Sequence, residues 1–596
     1  MRMFHIARDE RGFAFALVIL VTLAVASLTG AAMVLGTNSR LISNAHERQD
    51  MLESVADDGL EGGRALLNAT PGLYPDTGGF VELYNGQAVD GLGNPIPGVT
   101  LAIYAGPVGI TSGQYGVYGA IVSVARDAGG GIAVRRSQIM QESFSKYAYF
   151  TDIEPSDIAF GSGDQIYGPV HSNDDIKVYE SGATFHKEVT TAGVVANYGQ
   201  FKKHYGKFLE GVRENAPRIE MPQTAEFDRL RVQAQAGGTA FTSEFTNATG
   251  RAKLRIEFVA IDLNDDDDTR DADEGFMRVY WSNDADWVVG AAPGSATLRG
   301  SRTCGHYHVT NGNKDTTFVT AYEHELPGYK GDSWVSSLTN DRARCFLGGD
   351  STLFNEFRAN DGKGFWLKWN GPVDSRLNGR DDKEYLFPIS RLLNPNFKGV
   401  IFVDGDVAVS GVLRGRVTLA ATGDIIIADD VKYATNPGTG TCEDILGLFS
   451  GGDVVVANTP INAPWRRGNS GQGANDYFTY DDTAYEEIHA FVLALDQFRV
   501  EDHDQGATNK EHCETINWGR GCLYLTGGIV QRTRGPVGTT AGTGYLKRYS
   551  YDQCGVAAPP PYFPTTGRFA RSQYFDVDPA DFGDAASYFQ KIQAGM

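Results

Sequence analysis

The stretch DERGFAFALVILVTLAVASLTGAAMVLG, Asp9 to Gly36, decides how the rest of the chain is read. Charge ends at Arg11, and the 24 residues from Phe13 to Gly36 carry none. As a helix they span about 36 Å, enough to cross the hydrocarbon of a bilayer. Arg2, Arg8 and Arg11 precede the run, so the positive-inside rule keeps the first dozen residues in the cytoplasm and sends the rest out. Three readings compete. The run is a secretory signal cut after Ala26 in AVAS, or an uncleaved anchor, or a mature stem left by a cut after Gly12.

The totals limit what lies beyond it. The 596 residues hold 41% hydrophobic and 21% charged residues, a soluble composition with room for several cores. With 72 Gly, 27 Tyr and 32 Phe, the chain leans toward short strands joined by tight turns. A net charge of −21 disfavours nucleic acid and anionic lipid as partners.

The third reading of the apolar run has specific support. A short charged leader ending in Gly12, then Phe13 and about twenty apolar residues, resembles the class III signal of type IV pilins and pseudopilins. RQDMLESVADDGLEGGRALLN (Arg48 to Asn68) follows, with Leu52, Val55, Ala56 and Leu60 on one helical stripe. It is similar to the amphipathic continuation of PilX-like minor pilins. The resemblance implies removal of residues 1–12 by a prepilin peptidase and a stem over 13–68. It further implies pilin or pseudopilin subunits and pilus assembly machinery as partners. Shaft-forming pilins usually carry glutamate at the fifth mature position. Here that position is Leu17, which points to an initiating or tip subunit.

Residues 69–145 read as a small sheet region with a hairpin turn at DAGGG, Asp127 to Gly131. Short β-prone pieces between Gly/Asp/Asn turns fill 146–199 and return in 396–530. There FVDGDVAVSG, AATGDIIIAD and FSGGDVVVAN each set a Gly-Asp before apolar or small residues, at Gly405, Gly423 and Gly452. Such repeats suggest the rungs of a β-solenoid, the aspartate tying down local N–H groups. LYLTGGIVQ (Leu523 to Gln531) is a further candidate rung, and EEIHAFVLALDQFRV (Glu486 to Val500) reads equally as helix or strand. Residues 200–395 read as an inserted α+β or β domain, and 531–596 as a C-terminal cap. The fold class is thus mainly β: a pilin-like transmembrane and amphipathic helix, then a large head with β-solenoid-like rungs. GPVHSND, GIVQRTRGPVG, GYLKRYSYD and PPPYFPTTG are similar to the uncharacterised DUF4900 type of large bacterial envelope protein. That similarity implies an architecture more than an activity.

The sharpest chemical feature is the loop from Asp262 to Gly275, where eight of fourteen residues are acidic. Asp262, Asn264, Asp266 and Asp268 fall at positions 1, 3, 5 and 7 of an EF-hand-like loop and Asp273 at 12, with Glu274 as a substitute. Oxygen ligands of this kind suit Ca2+, here on a hairpin because the flanks read as strands. Cys304, Cys345, Cys442, Cys513, Cys522 and Cys554 are disulfide candidates, an even number with no C-x-x-C pair. A Cys304–Cys345 bridge is preferred to a zinc site at Cys304, His306 and His308 completed by His324. No catalytic residue stands out. His171 in GPVHSND reads as turn-forming, and nothing in the spacing singles out Arg414 and Arg416 beside Asp404 and Asp406.

The expected protein is therefore non-enzymatic, held in the inner membrane by residues 13–36 with its N-terminus cytoplasmic. Its head stands in the periplasm or at the cell surface and serves assembly or adhesion. The rivals are an anchored or secreted β-helix enzyme acting on polysaccharide and a static envelope scaffold.

Overall fold

Helix α1 begins where the charge ends and runs Arg11–Ala69 without a break. It belongs to a computed structural model that describes residues 11–75, 79–108, 114, 118–161, 164–179, 182–197, 207–243, 252–266, 268–282, 306–311, 314–319, 364–378, 383–457, 486–504, 511–539 and 541–594. The described chain is mainly β with this one long apolar helix. It divides into two compact units, one of residues 1–111, 118–140 and 568–596, the other of 112–117 and 141–567.

In the first unit the sequence pattern changes along α1. No side chain from Phe13 to Asp50 is buried, whereas Leu52, Val55, Ala56, Leu60 and Leu67 are, all on the stripe the period predicts. They pack on a sheet of β1 (Val81–Val89), β2 (Pro95–Pro107), β3 (Tyr118–Asp127) and β4 (Ile132–Ser143), joined antiparallel in sequence order. The β3–β4 hairpin turns at the expected DAGGG, where Asp127 Oδ1 accepts from the N–H groups of Gly129 and Gly131.

Gly59 and Gly63 also face the sheet. A Cβ on Gly59 would lie 2.2 Å from Ser123 Oγ, and one on Gly63 would lie 2.8 Å from an Ile103 methyl carbon. Two glycines four residues apart let the helix sit closer to β2 and β3 than a side chain permits. Arg135, 6% exposed, ties the same face with Glu53 at 2.8 Å and Asp57 at 3.5 Å.

The C-terminal residues join this unit. Strand Thr565–Val577 extends the sheet beyond β4, and helix Ala585–Gln593 covers its second face with Tyr588, Phe589 and Ile592. Asn68 near the end of α1 exchanges two hydrogen bonds with the Phe569 backbone. The reading of 531–596 as a separate cap misses this return. The apolar alternation of β3 and β4 buries both faces of the sheet, and α1 covers only one.

The second unit is built from parallel strands stacked in three rows. In one row Val212, Val189, Val170, Tyr149, Ile529, Val492, Leu448, Leu419 and Ile401 stand each opposite the next. A second runs Ile256, Val409, Ile427, Val456, Val500. The third runs Val431, Ile488, Leu525, Tyr549, Ile166, Phe185, Phe208. Burial in stacked apolar columns of this kind contributes about 1.5–3 kcal/mol per large side chain. The ambiguous EEIHAFVLALDQFRV resolves into strands Glu486–Ala494 and Phe498–Val500, because both find parallel partners.

The order in these rows is not the order of the chain. Passes from Tyr149 to Val212 climb one way. Passes from Ala240 to Thr533 approach from the other, and the two series meet where Tyr149 faces Ile529. The chain crosses between the outer ends on residues 216–238. Ile219 exchanges two hydrogen bonds with the Asn173 side chain, and the helix Glu226–Gly237 stacks Phe227 on Phe449 at 4.4 Å. Strands Ala240–Thr242 and Leu254–Ala260, inside the stretch read as an insertion, pair in parallel with Val400–Asp404 and Val407–Leu413 and so belong to the stack.

The Gly-Asp signatures have a physical role one step longer than expected. Asp406 Oδ1 accepts from the N–H of Asp424, Asp424 from that of Asp453, and Asp453 from that of Gln497, each at 2.8–3.0 Å. The carboxylates tie one pass to the next instead of tying their own turn. A Cβ on Gly452 would sit 2.2 Å from Asp424 Oδ1, so the residue beside this ladder is glycine.

Candidate functional site

The residues read as the processing site lie at the start of α1. Gly12 is in its first turn, and Phe13 is 75% exposed. The most apolar eighteen-residue window of the helix has a mean hydropathy of 2.4 and is wholly unburied in the first unit. Its threonines are self-satisfied: Thr22, Thr29 and Thr37 donate to the carbonyls of Val18, Val25 and Met33 at 2.7–2.9 Å. A helix with its backbone and hydroxyls bonded internally can enter lipid without leaving polar groups bare. Leu17, at the fifth position after the proposed cut, is exposed with its neighbours.

The acidic loop is a hairpin turn, as its flanks predict, between antiparallel strands Leu254–Ala260 and Gly275–Ser282. Asp262 Oδ1 accepts from the N–H groups of Asn264 and Asp265, the latter left-handed at φ 59°. Asp266 and Asp268 accept from N–H groups two residues on. Glu274 is buried, and its two oxygens accept from Leu263 and Asp271 N–H at 2.8 Å. Burial, opposed by those two bonds, raises its carboxyl above the usual range. Asp273 pairs with Arg376 at 2.7 Å. As placed, the six residues read as ligands are engaged by the chain itself. Among the described residues no group of three or more His, Cys, Asp or Glu side chains converges as a metal site.

Four of the six cysteines pair, Cys442 with Cys554 and Cys513 with Cys522. Cys304, Cys345 and His324 lie outside the described residues. His306 and His308 fall on the strand His306–Asn311. His171 is 2% exposed inside the stack, on a strand and not in a turn. Its ring nitrogens bond Thr190 Oγ1 and Asn173 Oδ1, and it stacks on Phe150. Arg414 donates to Asp444 at 3.0 Å and to the Asp271 carbonyl, while Asp404 accepts from Thr422 and Asp406 from the next pass. These groups are engaged in contacts within the chain.

Sequence reasoning missed a groove. A cavity of about 690 Å3 lies over the outer side of the third row. Period two puts Glu487 and His489 on the same side of their strand. Thr526 stands opposite His489 and Ser550 opposite Thr526, while Tyr524 stands opposite Glu487. Lys432 bonds Asp430 at 3.2 Å and lies 3.8 Å from Glu487, so the lysine here faces two carboxylates.

His489 Nδ1 accepts from the Tyr433 N–H at 3.1 Å, which puts the imidazole proton on Nε2. Burial, and then Lys432, depress its pKa to about 4, so the ring is neutral at physiological pH. The signal in the sequence was the alternation E-E-I-H-A-F. Its partners on the other strands, some 37 to 61 residues away, could not be read from it.

Comparison of the chain with protein-family models, with characterised proteins and with solved structures gives no match.

Proposed function

We propose that this protein is a non-enzymatic, minor pilin-like envelope protein, cut after Gly12 and held in the cytoplasmic membrane by the first half of α1. The observation that carries the reading is the division of one unbroken helix. Its first half is bare and apolar, and its second half is buried on an antiparallel sheet. An ordinary secretory signal has no need of helical continuity into a folded unit. A stem that leaves lipid to pack among other stems does, since only such packing then keeps its apolar surface from water.

The second unit is inferred to wind as a β-solenoid and to be the head presented outside the membrane. Its three rows of parallel strands and its pass-to-pass aspartates support that reading. Two disulfides suit an oxidising compartment. Leu17 in place of glutamate favours an initiating or tip position, with assembly or adhesion as the head's task.

The test is mass spectrometry of the N-terminus of the envelope-associated protein. A chain starting at Phe13, N-methylated, is expected. A start at Ser27 removes the stem and overturns the reading, and an intact Met1 leaves an anchored scaffold.

A further inference from the structure

We propose that the groove over the third row binds a neutral oligosaccharide lying along the stack, across the strands. The inference is independent of the processing and assembly of the stem. Successive passes of a sheet lie about 4.8 Å apart, close to the repeat of one pyranose residue in an extended glycan. Along that direction the groove offers one hydrogen-bonding group per pass: the neutral His489, then Thr526, then Ser550. His489 Nε2 has no partner among the described residues and carries a proton to donate into the cavity.

Beside this ladder Tyr524, on the same side of its strand as Thr526, lines the same cavity and brings an aromatic ring to the C–H side of a sugar. An aromatic face beside a line of uncharged hydrogen-bonding groups matches a ligand with hydroxyls at its edges and C–H bonds on its faces.

Other occupants fit less well. A peptide adding as a strand needs an open sheet edge, and the strands beneath the groove are paired on both sides. An anionic ligand would need a cation without a counter-charge, and Lys432 is already neutralised by Asp430 and Glu487. The chain's net charge of −21 opposes anions further.

The test is calorimetric titration of the full chain, in a detergent without a sugar headgroup, with cellotetraose, chitotetraose and tetragalacturonate. Saturable binding of at least one neutral tetrasaccharide is expected, weakened about tenfold by Tyr524→Ala and by Thr526→Val. Thermal melting of each variant monitors the fold. Ser550→Ala, at the outer end of the ladder, replaces either variant that melts early. The proposal is overturned if neither neutral probe binds at millimolar concentration, if tetragalacturonate alone binds, or if folded variants bind as well as the parent chain. None of those results bears on where the N-terminus is cut.

Discussion

The two units bury apolar surface by opposite routes. In the first, β1 to β4 pair with their sequence neighbours, α1 covers one face and the C-terminal helix Ala585–Gln593 the other. In the second, the central contact joins Tyr149 to Ile529, and the residues between them must close before it forms. A sheet of local hairpins tolerates loss of a distant residue. A stack whose two halves meet in the middle has one joint on which both depend.

That joint gives the strongest way to break the comparison. Arg534 and Glu154 form a fully buried pair at 3.1 Å, 2% and 0% exposed, with Arg534 3.9 Å above the Phe160 ring. Glu154 also accepts from Thr151, and Arg534 N–H bonds the Ile153 carbonyl, so the pair sits on the strands that meet. Arg534→Ala leaves a carboxylate buried without its cation and is expected to cost about 3–5 kcal/mol. Calorimetry should show the second unit's transition falling while the first unit's holds. Equal falls in both would refute their independence.

A smaller effect belongs to the first unit. Gly63→Leu forces a side chain between α1 and β2 and is expected to cost about 1–3 kcal/mol, lowering only the first unit's transition. Gly62, one residue before, has nothing within 4 Å of a Cβ, so Gly62→Ala should stabilise the helix by about 0.5–1 kcal/mol. Matching signs at the two positions would show that close approach is not what the glycines serve.

The smallest effect sharpens the account of the ladder. Burial, with Asp406 and Asp453 nearby, raises the Asp424 carboxyl above its ordinary value, despite the hydrogen bond from Asp453. Its contribution to stability is full below the unfolded value of about 3.9 and is lost as pH rises through the folded value. Asp424→Asn keeps the acceptor without the charge. It should raise the second unit's stability at neutral pH by less than about 1 kcal/mol, since the group is partly exposed. In acid the gain should vanish. A gain that persists at pH 3 would assign it to packing.

What could be read in advance follows the same division. The stripe Leu52, Val55, Ala56, Leu60 and the Asp127 turn are local patterns, and the first unit bears them out. The Gly-Asp repeats marked strands of the second unit, but their carboxylates were assigned to their own turns, since the acceptor relation crosses 18 or 29 residues. Leu254–Ala260 carries no such signature, and its partner Val407–Leu413 is far off in sequence, so it read as part of an insertion. The groove was least legible, because His489, Thr526 and Ser550 stand opposite one another across gaps of 37 and 24 residues and share no repeated motif.

The meeting of the two series also sets a clock. Glu154 and Arg534 are 380 residues apart. At about 5–20 residues per second, the ribosome delivers the second partner roughly 20–75 s after the first. Throughout that interval the strand Tyr149–Ile153 presents an open edge, a template for pairing with any other nascent chain. Whatever escorts this protein during its making must shield that edge for the better part of a minute.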